Sequence, residues 1–162
     1  MVEKLGINHI SDIIELRIEL QNNDKKYYKN SIIISEEKLV SQTKNYIINN
    51  LNKNLFLFGY IINNRIVSIC GFYLDEHFPT YANESGKIAY VCNVYTRVNY
   101  RQKGYQRKCF EYCLKYAKSK NINYFKLDSV NEIAIEFYKK YGFQKVNNMY
   151  SLKLNKVNKN VQ

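Results

Sequence analysis

The 162 residues carry 25 Lys or Arg against 14 Asp or Glu, a net charge of +11, and are 46% hydrophobic and 15% aromatic. That is apolar material for one globular domain with a two- or three-layer core, and it excludes a disordered chain. The positive excess points to an anionic partner, with the heavy Lys, Asn, Ile and Tyr usage of an AT-rich genome as the plainer source of part of it.

No apolar stretch follows Met1-Val2-Glu3-Lys4, so no signal peptide is expected, and no run of ~20 apolar residues is present to span a membrane. The four cysteines, Cys70, Cys92, Cys109 and Cys113, fall inside apolar patterns and form no Cys-x-x-Cys pair. They read as small core residues of a protein in a reducing, cytoplasmic compartment. His9 and His77 are the only imidazoles, so neither a metal site nor a Cys-His nucleophile is expected.

In chain order, residues 1–7 suit a short first strand, and Ile10, Ile13, Ile14, Leu16, Ile18 and Leu20 give a helix to about residue 22. A polar loop over 22–31 precedes Ser35-Glu36-Glu37, a capping hydroxyl followed by acids, which starts a second helix ending near 52. Residues 55–62 and 65–74 flank Asn63-Asn64, a pair that tolerates positive φ, and together predict a β-hairpin. A loop over 75–86 holds the only proline, Pro79. Strands are expected at 87–96 and 122–130, with a helix over 102–120 between them. Asn131 can cap a helix with Ala134, Phe137, Tyr138 and Tyr141 on its apolar side, stopped by a left-handed Gly142. Residues 143–146 and 149–154 look like a closing antiparallel pair before a Lys/Asn tail. No repeat or linker divides the chain, so one domain over 1–155 and a polar tail over 156–162 are expected. The order of elements implies an α/β (α+β) fold: a mixed central β-sheet with helices on both faces.

The densest chemistry lies between Tyr90 and Tyr116. An apolar strand, Tyr90-Val91-Cys92-Asn93-Val94-Tyr95-Thr96, leads through Arg101-Gln102-Lys103-Gly104-Tyr105-Gln106 into a helix with Phe110, Cys113, Leu114 and Ala117 on one face. Helix-start amides lack internal partners and the helix dipole favours negative charge there, so strand, glycine turn and helix build an anion site. Between Arg97 and Lys120 eight Lys or Arg face one acid, Glu111, which suits a phosphate.

Two stretches resemble the GNAT family of acetyl-CoA-dependent N-acetyltransferases. One is Asn93-Val94-Tyr95-Thr96 followed by Tyr100-Arg101-Gln102-Lys103-Gly104, which matches the Arg/Gln-x-x-Gly-x-Gly/Ala pyrophosphate loop after the family's fourth strand. The other is Asn131-x-x-Ala134-x-x-x-Tyr138-x-x-x-Gly142-Phe143, which matches the family's cofactor-side helix. The order of predicted elements fits a single-domain GNAT-like fold over nearly the whole chain. The departure is Gln106, where the pattern has Gly or Ala; its side chain either crowds the pyrophosphate or turns away and adds a donor.

The resemblance implies the remaining roles. Acetyl-CoA would be the cosubstrate and no metal would be required. Backbone of Val94 and Thr96 would pair with the pantetheine arm, and an amide near Val94 or Tyr95 would polarise the thioester carbonyl. Amides of Gln102, Lys103, Gly104, Tyr105 and Gln106 would hold the pyrophosphate, with Arg101 and Lys103 as charge. Asn131 would hydrogen-bond the cofactor arm and Tyr138 would protonate the departing thiolate. Set against these roles, Asn131 is also a plain helix cap, Tyr138 a core tyrosine among sixteen, and Arg101 a solvated surface residue. The strand-four glutamate that family members often use as base is missing from 87–96, which leaves Asn93 to hold a water or to sit at a bulge. The acids of 75–84 read as a solvated loop, with attraction of a cationic amine as the second reading.

The expected function is transfer of acetyl from acetyl-CoA to a primary amine, whether small amine, antibiotic, or peptide or protein amine, by direct attack in a ternary complex. A homodimer would be ordinary for the family. Two competitors stay open. A non-catalytic acyl-CoA-binding or degenerate GNAT protein would keep the loop without the Tyr138 chemistry. A basic nucleic-acid-binding domain would account for the charge but not for the paired motifs, and no RNA-binding signature is present.

Overall fold

The computed structural model describes residues 1–27 and 34–146. Contacts divide the chain into two units, 1–127 and 128–162. The first contains a five-stranded sheet in the order β1-β2-β3-β4-β5. Its strands are β1 (Val2–Lys4), β2 (Leu55–Ile62), β3 (Arg65–Glu76), β4 (Lys87–Thr96) and β5 (Tyr124–Lys126). Neighbours run antiparallel except β4 and β5, which are parallel, as a strand-helix-strand crossover requires.

The hairpin forms because Asn63 and Asn64 take φ of 48° and 58°, the double positive φ of a two-residue turn whose twist matches the strands. Helix α1 (Ile10–Asp24) continues from a 3-10 turn at Ile7–His9 and runs into another at Lys25–Tyr27, so the described part of the segment expected as a loop, 22–27, is helical. Helix α2 (Glu36–Asn50) starts where Ser35 Oγ accepts from the Lys38 amide at 3.3 Å and stops before Asn52, whose φ is 62°. Helix α3 (Tyr105–Ser119) begins three residues later than expected, because positive φ at Gln102 and Gly104 breaks the helical path.

The strand period of two sends alternate side chains to opposite faces. Leu55, Leu57 and Ile69 meet Ile13 and Leu16 of α1 and Ile47 of α2. Facing the other way, Phe58 packs its ring 5.4 Å from Tyr112 and 5.1 Å from Tyr116 of α3. Helices therefore cover both faces of a mixed sheet. Phe58, Phe72 and Phe110 are fully buried, each contributing ~1.5–3 kcal/mol of apolar transfer.

In the second unit α4 (Glu132–Lys139) is capped by Asn131, and Gly142 takes φ of 85° beyond its end. The Gly142 amide donates to Lys139 O and the Phe143 amide to Tyr138 O, a Schellman closure with the Phe143 ring 5.8 Å from Tyr138. That closure corrects the expected strand at 143–146: Phe143 is spent on ending the helix, and these four residues carry no strand. Its expected partner, 149–154, lies outside the described residues. The strand expected over 122–130 is confined to the three residues of β5. No described helix is long and apolar enough to cross a membrane.

Candidate functional site

β4 is deformed where the chemistry was expected. Its register with β3 jumps from Gly71 opposite Cys92 to Ile69 opposite Tyr95, so Asn93 and Val94 face the single residue Cys70. Asn93 takes φ of 51° at this bulge. Asparagine tolerates the left-handed region better than most residues, and a bulge re-aims its side chain. Asn93 Oδ1 accepts from Arg17 Nη1 of α1 at 3.1 Å.

The far edge of β4 is only partly paired among the described residues. β5 pairs with it only at Ile88, Ala89 and Tyr90, so from Val91 to the end of the strand no described strand covers that edge. The bulge, Val94, Tyr95 and Thr96 lie along this uncovered half.

Beyond β4 the chain makes a 3-10 turn at Val98–Tyr100 and reaches the basic loop. Gln102 has φ of 62°, and Gly104, the N-cap of α3, has φ of 75° and ψ of 5°. The first hydrogen bond of α3 runs from the Lys108 amide to Gly104 O, so the helix itself does not use the amides of Tyr105, Gln106 and Arg107. Among the described residues, its chain neighbours aside, no heavy atom lies within 4 Å of the position a Cβ would take on Gly104, so they leave the backbone there open to approach. Arg101 donates from Nε to Thr96 O at 3.1 Å, with its guanidinium 5.5 Å from the Tyr95 ring centre. Lys103 Nζ donates to Asn99 O at 3.1 Å.

Gln106 turns into the sheet. Its Oε1 accepts from Ser68 Oγ at 3.1 Å and Thr96 Oγ1 at 3.0 Å, and its Nε2 donates to Ile69 O at 3.3 Å. The side chain thus ties the start of α3 to β3 and β4, while its backbone amide stays in the first turn of the helix.

On the α1 and α2 side of the bulge is a cavity of about 440 Å³. Ile13, Ile47, Leu55 and Tyr73 give it apolar walls; Arg17, Gln42, Thr43, Tyr46 and Asn93 supply its polar groups. No carboxylate or imidazole is among its described lining residues. Burial, and then the neighbouring Cys92, raises the Tyr46 phenol above its usual range. Burial pushes the Cys92 thiol up to about 12. No lining group with a resolved shift is moved towards neutrality.

Arg97 fastens α1 against the end of β4. It is buried, donates from Nε to Ile66 O at 2.9 Å, and reaches Glu15 and Glu19 through Nη1. This holds the helix that carries Arg17. Two of the three acids of 75–86 are paired locally, Asp75 with His77 at 2.7 Å and Glu76 with Lys87 at 4.0 Å.

The structure brings Asn93, Val94, Tyr95, Thr96 and the loop from Arg101 to Gln106 into one continuous run of unit one. Asn131 and Tyr138 belong to the second unit. There Asn131 Oδ1 accepts from the amides of Ile133 and Ala134 at 3.0 and 3.3 Å, and Tyr138 is buried with Phe137 and Phe143 rings beside it. Sequence reasoning did not single out Arg17, Gln42, Tyr46 or Arg97. One signal was present: Arg17 is the only base in α1 and stands four residues after Ile13, on the same helical stripe.

The family model of the Acetyltransferase (GNAT) family matches residues 19–143. No curated protein matches the chain. Among solved structures, a predicted acetyltransferase from Clostridium acetobutylicum, determined with acetyl-CoA, is similar with a TM-score of 0.77 at 24% identity, covering 94% of this chain and 95% of that one. A GCN5-related N-acetyltransferase from Ralstonia eutropha gives 0.80 at 13% identity, over 94% and 97%. Glucosamine-6-phosphate N-acetyltransferase from Arabidopsis thaliana gives 0.64 at 17% identity, over 96% and 98%. These structural likenesses show the fold, and the family match spans most of the sequence. The chain belongs to the GNAT family of acetyltransferases.

Proposed function

We propose that the protein transfers acetyl from acetyl-CoA to the primary amine of a small acceptor, by direct attack with both substrates bound. One observation carries the reading: the edge of β4 that no described strand covers runs from a bulge beside a cavity, through one 3-10 turn, to a loop with positive φ at Gln102 and Gly104 at a helix start. The first suits an extended pantetheine arm added as a strand; the second suits a diphosphate held by amides. Acetyl-CoA would supply an acyl group already activated as a thioester.

In this reading Val94 and Thr96 pair with the arm, and an amide at Val94 or Tyr95 polarises the acyl carbonyl. Amides of Gln102, Lys103, Gly104, Tyr105 and Gln106 hold the diphosphate, with Arg101 and Lys103 as nearby charge. Asn131 would contact the arm with the part of its amide not used in capping, and Tyr138 would give a proton to the departing thiolate. The cavity orients the acceptor amine against the acyl carbon, so much of the rate comes from positioning. With no carboxylate or imidazole among the described lining residues, the amine proton leaves through water, held by Asn93. The domain is taken to run over 1–155, in a reducing cytoplasm that suits four free cysteines.

The test pairs CoA binding with thiol release. CoA should raise the thermal midpoint of the wild type, and acetyl-CoA with an amine panel should release free thiol. Gly104→Val should abolish the CoA-induced shift in a folded protein, since a branched side chain at φ of 75° both strains the turn and fills the open approach. A variant that still binds CoA normally would move the diphosphate elsewhere, and a wild type that binds CoA without releasing thiol would make the protein a binder only.

A further inference from the structure

The chemistry of the cavity beside the β4 bulge is one-sided. Arg17 is its only charged lining residue among those described. No described carboxylate lies within ion-pair distance of it: the ion pairs of α1 use Glu15, which goes to Arg97 and Arg65, and Glu19, which goes to Arg97. Asp24, two turns further along α1, feels the charge of Arg17 without pairing to it, and its own carboxyl is pushed up, by burial first. The guanidinium spends one of five donors on Asn93 Oδ1. Arg17 lines a cavity whose remaining described polar groups, Gln42, Thr43 and Tyr46, are neutral. A half-buried cation facing neutral groups suits an anion; it repels a second cation.

Two further features narrow the ligand. Ile13, Ile47, Leu55 and Tyr73 wall the cavity, so the body between the polar groups is apolar. Arg17 touches Asn93 itself, at the bulge where the acceptor's amine must meet the acyl carbon, so amine and anion stand close together on the ligand. Resting on the acetyl-transfer reading above, we propose that the acceptor is a small apolar amine bearing a carboxylate or phosphonate-type anion, with the arrangement of an apolar amino acid, and that Arg17 binds the anion. Gln42 and Thr43 serve as neutral donors for the same group.

The experiment is a set of matched acceptors in the thiol-release assay, with rates corrected for each amine's ionisation. Leucine, phenylalanine and methionine are compared with their carboxamides and decarboxylated amines, and the 1-aminoalkylphosphonates form a second anionic arm. At least one anionic series should exceed its neutral partners tenfold or more in kcat/KM; the arm that does so names the anion. Arg17→Gln should shrink that ratio towards one, mainly through KM, and Arg17→Lys should restore part of it. Neutral or cationic amines that match or outrun the anionic ones overturn the proposal. So does an Arg17→Gln variant that keeps the full preference. A second measurement needs neither turnover nor a variant: with CoA present, N-acetylleucine should bind the wild type at least tenfold more tightly than N-acetylleucinamide. If no amine is acetylated yet this preference holds, acetyl transfer falls and the anion site stands. If the preference is absent, the anion site falls.

Discussion

Asn93 holds a backbone conformation that a strand rarely permits, and its side chain is tied to Arg17 at the same time. The two demands separate by substitution. Asn93→Gly keeps the left-handed φ without a side-chain clash, so stability should be nearly retained while the tie is lost. Asn93→Val puts a β-branched residue at φ of 51° and should cost ~1–2 kcal/mol or more in urea unfolding. Equal stability of the two variants would mean that the bulge does not depend on this conformation. Tyr138 is a second single-residue case. A phenol is protonated at neutral pH and can give its proton to a leaving thiolate as the C–S bond breaks. Tyr138→Phe removes one oxygen and keeps the ring that packs beside Phe143. Turnover should fall roughly 10- to 1000-fold, with CoA affinity and the thermal midpoint little changed. Unchanged turnover at saturating acetyl-CoA would leave Tyr138 as a core residue only.

The loop and α3 act as one element, fixed by Gln106. At that position the family pattern has a small residue, and the sequence leaves open whether a longer side chain crowds the diphosphate or donates to it. The observed side chain instead bonds Ser68, Thr96 and the Ile69 carbonyl. Without Gln106 the buried Ser68 hydroxyl keeps Thr96 Oγ1 and Tyr95 O as partners, but both hydroxyls and the Ile69 carbonyl lose their tie to α3. Gln106→Ala should therefore cost ~1–3 kcal/mol of stability in urea unfolding. CoA affinity should weaken only as far as the loop drifts. A fully stable variant would show that the ties contribute nothing. The contrast between elements also explains what was legible in the sequence. The hairpin, β4 and the capped helices could be read because their signals are local: Asn63-Asn64, a β-branched and aromatic run, Ser35 and Asn131 at helix starts. The strand expected at 143–146 was misread because Phe143 looks equally apolar as a strand residue and as the closing contact of a helix. The basic loop was legible for the same local reason. The cavity was not, since Ile13, Arg17, Tyr46, Tyr73 and Asn93 come from α1, α2, β3 and β4 and meet only when the sheet is built.

Across the sheet-and-α3 layer of the first unit, three thiols report whether the whole assembly is closed. Cys70, Cys109 and Cys113 are fully buried where α3 meets the sheet. Burial, with the Cys113 thiol next in effect, holds Cys70 well above the ordinary thiol range, and burial pushes Cys109 up to about 11. The thiolate is the reactive form, so labelling at neutral pH requires these groups to reach solvent. The packing of Phe58 against Tyr112 and Tyr116 means that they do so only when α3 leaves the sheet. A ligand that binds only the closed state makes that opening rarer by the factor 1 + [L]/Kd. On the proposed reading, CoA held by the loop at the start of α3 would therefore protect Cys109 and Cys113 of that helix and Cys70 of β3. At a CoA concentration 100 times its Kd, labelling of the three cysteines by a thiol reagent without its own affinity for the protein should slow ~100-fold, equivalent to about 2.7 kcal/mol. Gly104→Val should remove the protection; valine is strained at φ of 75°, so the variant's own rate without CoA is the baseline against which the effect of CoA is read. Labelling that proceeds at one rate with and without saturating CoA would show that the unit of sheet and α3 is not what the nucleotide holds closed.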